Sequence, residues 1–216
     1  MFLLIDMKML GVKAVLMLTT GHMLVFSDTY FDNVVVPKEN VVGPKENVVG
    51  PIDGGWSMAK ALLGHERTLI GAVGLSTRAL QRVKRIAKQT MVNGKSALEH
   101  PGFVGKIARL EIRLESLRMQ NYRALAGAQL GHAPGPESSI LKIRGAEILQ
   151  QCFELAMEIM GPDSVSWFNE AGVIDPGEQW IASTMNYTRA TTIYGGSNEI
   201  QRNVIAKWIL GLPAQA

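Results

Sequence analysis

Runs of helical apolar periodicity, separated by strong turn signals, occupy most of this chain and decide what it can fold into. From Gly55 the residues Trp56, Ala59, Leu62, Leu63, Ile70, Val73, Leu80, Val83 and Ile86 recur at helical spacing to about Thr90. Asn93-Gly94 stops that run. His100-Pro101 opens another, carried by Ile107, Leu110, Leu114, Leu117 and Leu125 to about Ala128. Gly131 to Pro136 is a linker by composition. Ser138 or Ser139 is placed to cap a further helix through Ile148, Phe153, Leu155, Ile159 and Met160, which Gly161-Pro162 ends. Two more helices are expected over Glu178–Thr192 and Asn198–Leu210. Long helices with short connections predict a mainly α fold, an antiparallel bundle over residues 51–216.

Residues 1–50 read differently. Phe2-Leu3-Leu4-Ile5, Val12 to Leu16 and Thr29 to Val36 are short β-branched or aromatic runs, and Pro37 closes the last because it cannot donate to a ladder. They predict a partial β-domain ahead of the bundle. The apolar start resembles a signal peptide in hydropathy, but Asp6, Lys8 and Lys13 interrupt it and no basic region precedes it. It also falls short of the ~20 apolar residues that a membrane span needs. Pro37 to Gly43 is repeated residue for residue as Pro44 to Gly50, a tandem copy far shorter than a solenoid unit and best read as a small duplication tolerated because extending a loop costs little entropy, a functional lengthened surface loop being the alternative.

The apolar fraction of 47% supports a sizeable core, and a net charge of +3 is too weak to argue for nucleic acid. The single cysteine, Cys152, excludes an internal disulfide framework and fits a reducing compartment. No metal site is expected. None of His22, His65, His100 and His132 has a glutamate three positions before it, and there is no cysteine cluster. A Gly-x-Ser-x-Gly elbow and a phosphate-cradling Gly-x-x-x-x-Gly-Lys loop are missing too. Two features carry chemistry instead. Tyr194-Gly195-Gly196-Ser197 opens directly into a helix, leaving backbone N–H groups and a positive dipole end for a phosphate or an electron-rich ring. Leu63-Gly64-His65-Glu66-Arg67-Thr68 sets a carboxylate inside an otherwise apolar helix, where it must be paired, neutral or functional.

Taken in order, Phe31-Asp32-Asn33-Val34-Val35-Val36-Pro37, Gly54-Gly55-Trp56, Gly64-His65-Glu66-Arg67-Thr68, Glu158-Ile159-Met160-Gly161-Pro162-Asp163 and Ile193 to Asn203 resemble the acyl-CoA dehydrogenase flavoprotein family over essentially the whole chain. The resemblance implies an oxidoreductase using FAD for α,β-dehydrogenation of an acyl-CoA thioester. A carboxylate takes the α-proton while the β-hydrogen leaves as hydride to flavin N5, and electrons pass on to an electron-transferring flavoprotein. Homo- or hetero-tetramers are expected, in the bacterial cytoplasm or the mitochondrial matrix, with no nucleic acid and no membrane span.

Many members place the base directly after the signature tyrosine, where this chain has Gly195, which accepts no proton. A second group places it on the first long helix before an arginine, which is Glu66 before Arg67 here. Glu66 is therefore the expected base, with Arg67 expected to orient it or to shape the acyl pocket. Gly196, Ser197, Glu199, Gly161 and Lys95 are the expected cofactor contacts, and Gly195 the expected substrate contact. Lys95, in Asn93-Gly94-Lys95-Ser96, stands where the family's Arg-x-x-Phe-Gly flavin-pyrophosphate segment is absent. The chain also starts deep within the family's middle β-domain, so the alternative is a truncated or non-catalytic subunit that cannot hold FAD alone.

Overall fold

The computed structural model describes residues 5–35, 51, 53–60, 62, 71–131, 135–165 and 180–213. The chain divides into two compact units, Met1–Leu63 and Gly64–Ala216.

In the first unit, β1 (Val12–Met17) pairs antiparallel with β2 (Phe26–Phe31), Val12 opposite Phe31 and Met17 opposite Phe26. Gly11 at φ +90 begins the ladder, and its carbonyl accepts from the Asp32 N–H at 2.9 Å. A Cβ at Gly11 would lie 2.2 Å from the Asp32 carbonyl oxygen, so only glycine closes this end. The strand expected over Thr29–Val36 starts earlier and ends at Phe31, because Asn33 at φ 47 leaves the extended region. Residues 55–60 are helical. Trp56 and Leu62, expected on the buried stripe, are 71% and 60% exposed. Periodicity names the apolar face of a helix but not what covers it. The duplicated segment 37–50 lies outside the described residues.

In the second unit, α1 (Val73–Gln89) leads through a small hairpin, β3 (Met91–Val92) and β4 (Lys95–Ser96), to α2 (Pro101–Gln129). Then come α3 (Ser138–Met160), α4 (Ile181–Thr188) and α5 (Asn198–Trp208). The hairpin turns on Asn93 and Gly94, both at positive φ, the turn chemistry two short strands need. Helix α3 is central. Leu141, Ile148, Leu149, Cys152, Phe153, Leu155 and Ile159 are buried along it, in one cluster with Leu80, Val83 and Ile86 of α1 and Leu110, Leu114 and Leu117 of α2.

Polar pairs fix the directions. Arg118 donates to Thr77 and Lys84 pairs with Glu111, so α1 and α2 are antiparallel. Lys106 pairs with Glu158 and Arg113 with Glu147, so α2 and α3 are antiparallel as well. Lys142 bonds Asn198, and Arg202 reaches Glu147, so α5 runs alongside the first half of α3 in the same direction.

Three expected boundaries change. The run from Gly55 to Thr90 is not one helix: Ala72 at φ 44, ψ 39 is left-handed, and α1 starts afresh at Val73. Neither Ser138 nor Ser139 caps α3; Glu137 precedes it without a side-chain cap, Ser138 Oγ donates to the Gly135 carbonyl, and Ser139 is buried. Helix α4 passes into a 3-10 turn, Arg189–Thr192, rather than continuing as α-helix.

Candidate functional site

The Tyr194–Ser197 turn is held from two helices. On α3, Gln150 Nε2 donates to the Thr188 carbonyl at 2.8 Å and to Thr191 Oγ1 at 3.3 Å, pinning the 3-10 turn. On α5, the fully buried Gln201 donates Nε2 to the Gly195 carbonyl at 2.9 Å and to the Gly196 carbonyl at 3.4 Å. Gly195 and Gly196 both have positive φ, 64 and 86, which the reversal into α5 requires. A Cβ on Gly196 would stand 2.5 Å from Gln201 Nε2, the atom that ties the loop down.

The carbonyls of Gly195 and Gly196 are engaged by Gln201. Among the described residues no carbonyl accepts from the Gly195 or Gly196 N–H. Ser197 caps α5, its hydroxyl accepting from the Ile200 N–H at 3.4 Å. Glu199 stands in the first turn. Its own backbone N–H and the Ser197 hydroxyl hold its carboxyl below the usual carboxylate range, helped by Arg202 and Lys142. Lys142 of α3 is fully buried and donates to Asn198 Oδ1 at 2.9 Å. Burial pushes its ammonium pKa down, with Glu199 pulling the other way. N–H groups without a backbone acceptor among the described residues, a helix N-terminus and a buried cation form a donor set that fits an anionic or electron-rich group such as a flavin.

Beside this loop lies an apolar cleft of about 220 Å³, lined by Ala72 and Leu75 of the α1 start, Gly145, Ala146 and Leu149 of α3, and Thr191 and Tyr194. Burial pushes the Tyr194 phenol up, with Tyr187 adding to the effect. Cys152, buried in the core, has its thiol pushed up to about 12 by burial, which leaves it unreactive.

The expected site residues separate. Gly195, Gly196, Ser197 and Glu199 are together. Gly161, at φ 62, ends α3, and Lys95 is exposed on the hairpin that follows α1. Lys142 marks the loop end of α3, and Gly161 lies roughly 28 Å further along at the helical rise of 1.5 Å per residue. Since α1 runs parallel to α3, Lys95 falls at the Gly161 end. Glu66 and Arg67 lie outside the described residues.

Sequence reasoning passed over Lys142, Gln150 and Gln201. One signal was available for Lys142: it falls on the stripe of Ser139, Ala146 and Leu149, a charged residue where helical periodicity places small and apolar ones.

The family model of the acyl-CoA dehydrogenase C-terminal domain matches residues 53–210. The chain belongs to the acyl-CoA dehydrogenase family. Acyl-CoA dehydrogenase IpdE1 of Mycobacterium tuberculosis is 32% identical over 164 residues, covering 75% of this chain and 39% of the relative. The Tcur3481-Tcur3483 steroid ACAD superposes with a TM-score of 0.81 at 26% identity, covering 99% of this chain and 52% of that one. The ChsE4-ChsE5 complex from Mycobacterium tuberculosis gives 0.77 at 26% identity, covering 99% and 53%. This acyl-CoA dehydrogenase chain therefore spans about half the length of the relatives it matches, or less. Among its described residues no helix is long and apolar enough to cross a membrane.

Proposed function

We propose that this chain carries the acyl-CoA and flavin side of an FAD-dependent acyl-CoA dehydrogenase. The observation that carries the reading is the juxtaposition of an apolar cleft with a donor-rich loop. Tyr194 lines the cleft, and the N–H groups of the next two residues, Gly195 and Gly196, have no backbone acceptor among the described residues. The cleft takes the acyl chain and the loop meets the cofactor. Bound FAD supplies a two-electron hydride acceptor, which no side chain of the protein can be.

The chain's own part is the proton. Removing a weakly acidic α-proton needs a base beside the thioester and donors that stabilise the growing enolate. Gly195 has no group to do it. Glu66 is the base in this reading, oriented by Arg67. Ala72, six residues further along the sequence, lines the same cleft as Tyr194, which supports the assignment. In this reading Gly195, which carries no side chain, suits a bulky or branched acyl group, and one similar structure is of a steroid enzyme. Electrons then leave to an electron-transferring flavoprotein.

Glu66→Gln in flavin-loaded protein is expected to lose turnover by at least about a thousandfold while flavin content is unchanged, within the range general-base removal produces. Near-normal turnover would sink the assignment.

A second reading is supported by the coverage of about half of each solved relative and by the two-chain ChsE4-ChsE5 complex. There the chain is a subunit whose flavin site is completed by another polypeptide. Purified chain that stays colourless with added FAD, and turns yellow only after co-expression with such a partner, selects this reading over the first.

A further inference from the structure

Where the start of α3 packs against the start of α5, polar groups are buried between the helices. Lys142 and Gln201 are both fully buried, Asn198 is 6% exposed, and Ser139 is buried beside them. Gln201 Oε1 and Ser139 Oγ have no hydrogen-bond partner among the described residues. Lys142 has one, the neutral amide oxygen of Asn198.

Burying an ammonium group costs several kcal/mol unless a counter-charge and further hydrogen bonds repay it. Among the described residues the acidic group that acts on it is Glu199. That carboxylate accepts from its own N–H and from the Ser197 hydroxyl, and its side chain is 77% exposed. The cation is also at the wrong end of two helices. It lies near the N-terminus of α3 and against the first residue of α5, where the dipoles are already positive. Methionine would fill the same space with neither penalty. An arrangement this unfavourable for the chain alone is explained if a group of opposite polarity completes it. The N–H groups of Gly195 and Gly196, three and two residues ahead of Asn198, have no backbone acceptor among the described residues and are donors for such a group.

We propose that Lys142 is a positioning residue for the flavin cofactor, its buried charge acting through Asn198 and the first turn of α5 to make the Gly195-Gly196 loop a site for an electron-rich group. This rests on the flavin reading of the loop. A purely structural lysine and a positioning lysine make opposite demands. Removing the first lowers stability and binding together; removing the second lowers binding alone.

The test uses the 216-residue chain, its Lys142→Met and Asn198→Asp variants, FAD and riboflavin titrations followed by flavin fluorescence quenching, and thermal melting without flavin. Asn198→Asp keeps an acceptor for Lys142 but cancels its charge. Both variants are expected to bind FAD at least about tenfold more weakly, a change of roughly 1.4 kcal/mol. The flavin-free melting temperature of Lys142→Met is expected to equal or exceed that of the wild type. A matching loss for riboflavin assigns the charge to the ring, and retention of riboflavin affinity assigns it to the pyrophosphate; either supports the proposal. Wild-type FAD affinity in either variant overturns it, as does a fall in flavin-free melting temperature proportionate to the lost affinity. A wild-type chain that binds no flavin, either alone or co-expressed with a partner subunit, overturns the flavin reading and this inference with it, and that result is seen before any variant is made.

Discussion

Gly145 shows how a single missing side chain sets the cleft. A Cβ there would stand 2.3 Å from the Gly71 carbonyl oxygen, a clash with backbone that no rotamer change relieves. The glycine lets the chain just before α1 lie against α3, bringing Ala72 and Leu75 to the cleft beside Gly145 and Ala146. Gly145→Ala is therefore expected to destabilise the fold by about 2 kcal/mol, as overpacking does, measured as a lower urea midpoint at unchanged m-value. A neutral result would mean that the approach of Gly71 to α3 is not required. The same reasoning explains why Gly196 was legible in the sequence and Gln201 was not. A glycine pair announces a tight turn, whereas a glutamine within a helix gives no hint that it is fully buried and bonded to the turn's carbonyls.

At the scale of elements, most of the bundle was readable. Helices α2 and α3 begin and end within about a residue of the expected signals, because Pro101 and Gly161 act locally on backbone geometry. The start of α1 was not readable, because Ala72 carries no local signal for a left-handed backbone, and helical periodicity runs through it unchanged. A non-glycine residue in that conformation costs roughly 1 kcal/mol. Ala72→Gly is expected to return about that amount, seen as a rise of a few degrees in melting temperature. A drop instead would show that Ala72 is held there by side-chain packing worth more than the strain. The capping of α3 was misread for a related reason. Serine at a helix start suggests a cap by propensity, yet Ser138 and Ser139 fall within the first turn and are buried by tertiary packing.

Across the helical unit, the expected cofactor residues form two groups at opposite ends of α3, the Gly195–Glu199 loop at one and Lys95 with Gly161 at the other. One chain cannot bring them to a common point, so in the flavin reading the second group serves a cofactor bound to a neighbouring copy. The outer face of α2 offers a contact for such a copy. Val104, Ile112, Met119 and Tyr122 are exposed along a single stripe of the helix. Light scattering is expected to give a mass well above the 23.6 kDa monomer, and Ile112→Glu to reduce it toward that value by placing a charge in the contact. A monomeric wild type would remove the stripe from consideration as a self-contact. The sequence by itself determined the helical class, the glycine loop and the family, because periodicity, turn chemistry and ordered motifs are local and survive without neighbours. Only the tertiary structure decided that Lys142 is buried against Asn198, that Gly71 meets Gly145, and that the expected cofactor residues divide between two ends. Burial, close approach and distance belong to packed pairs of elements, and no single segment encodes them.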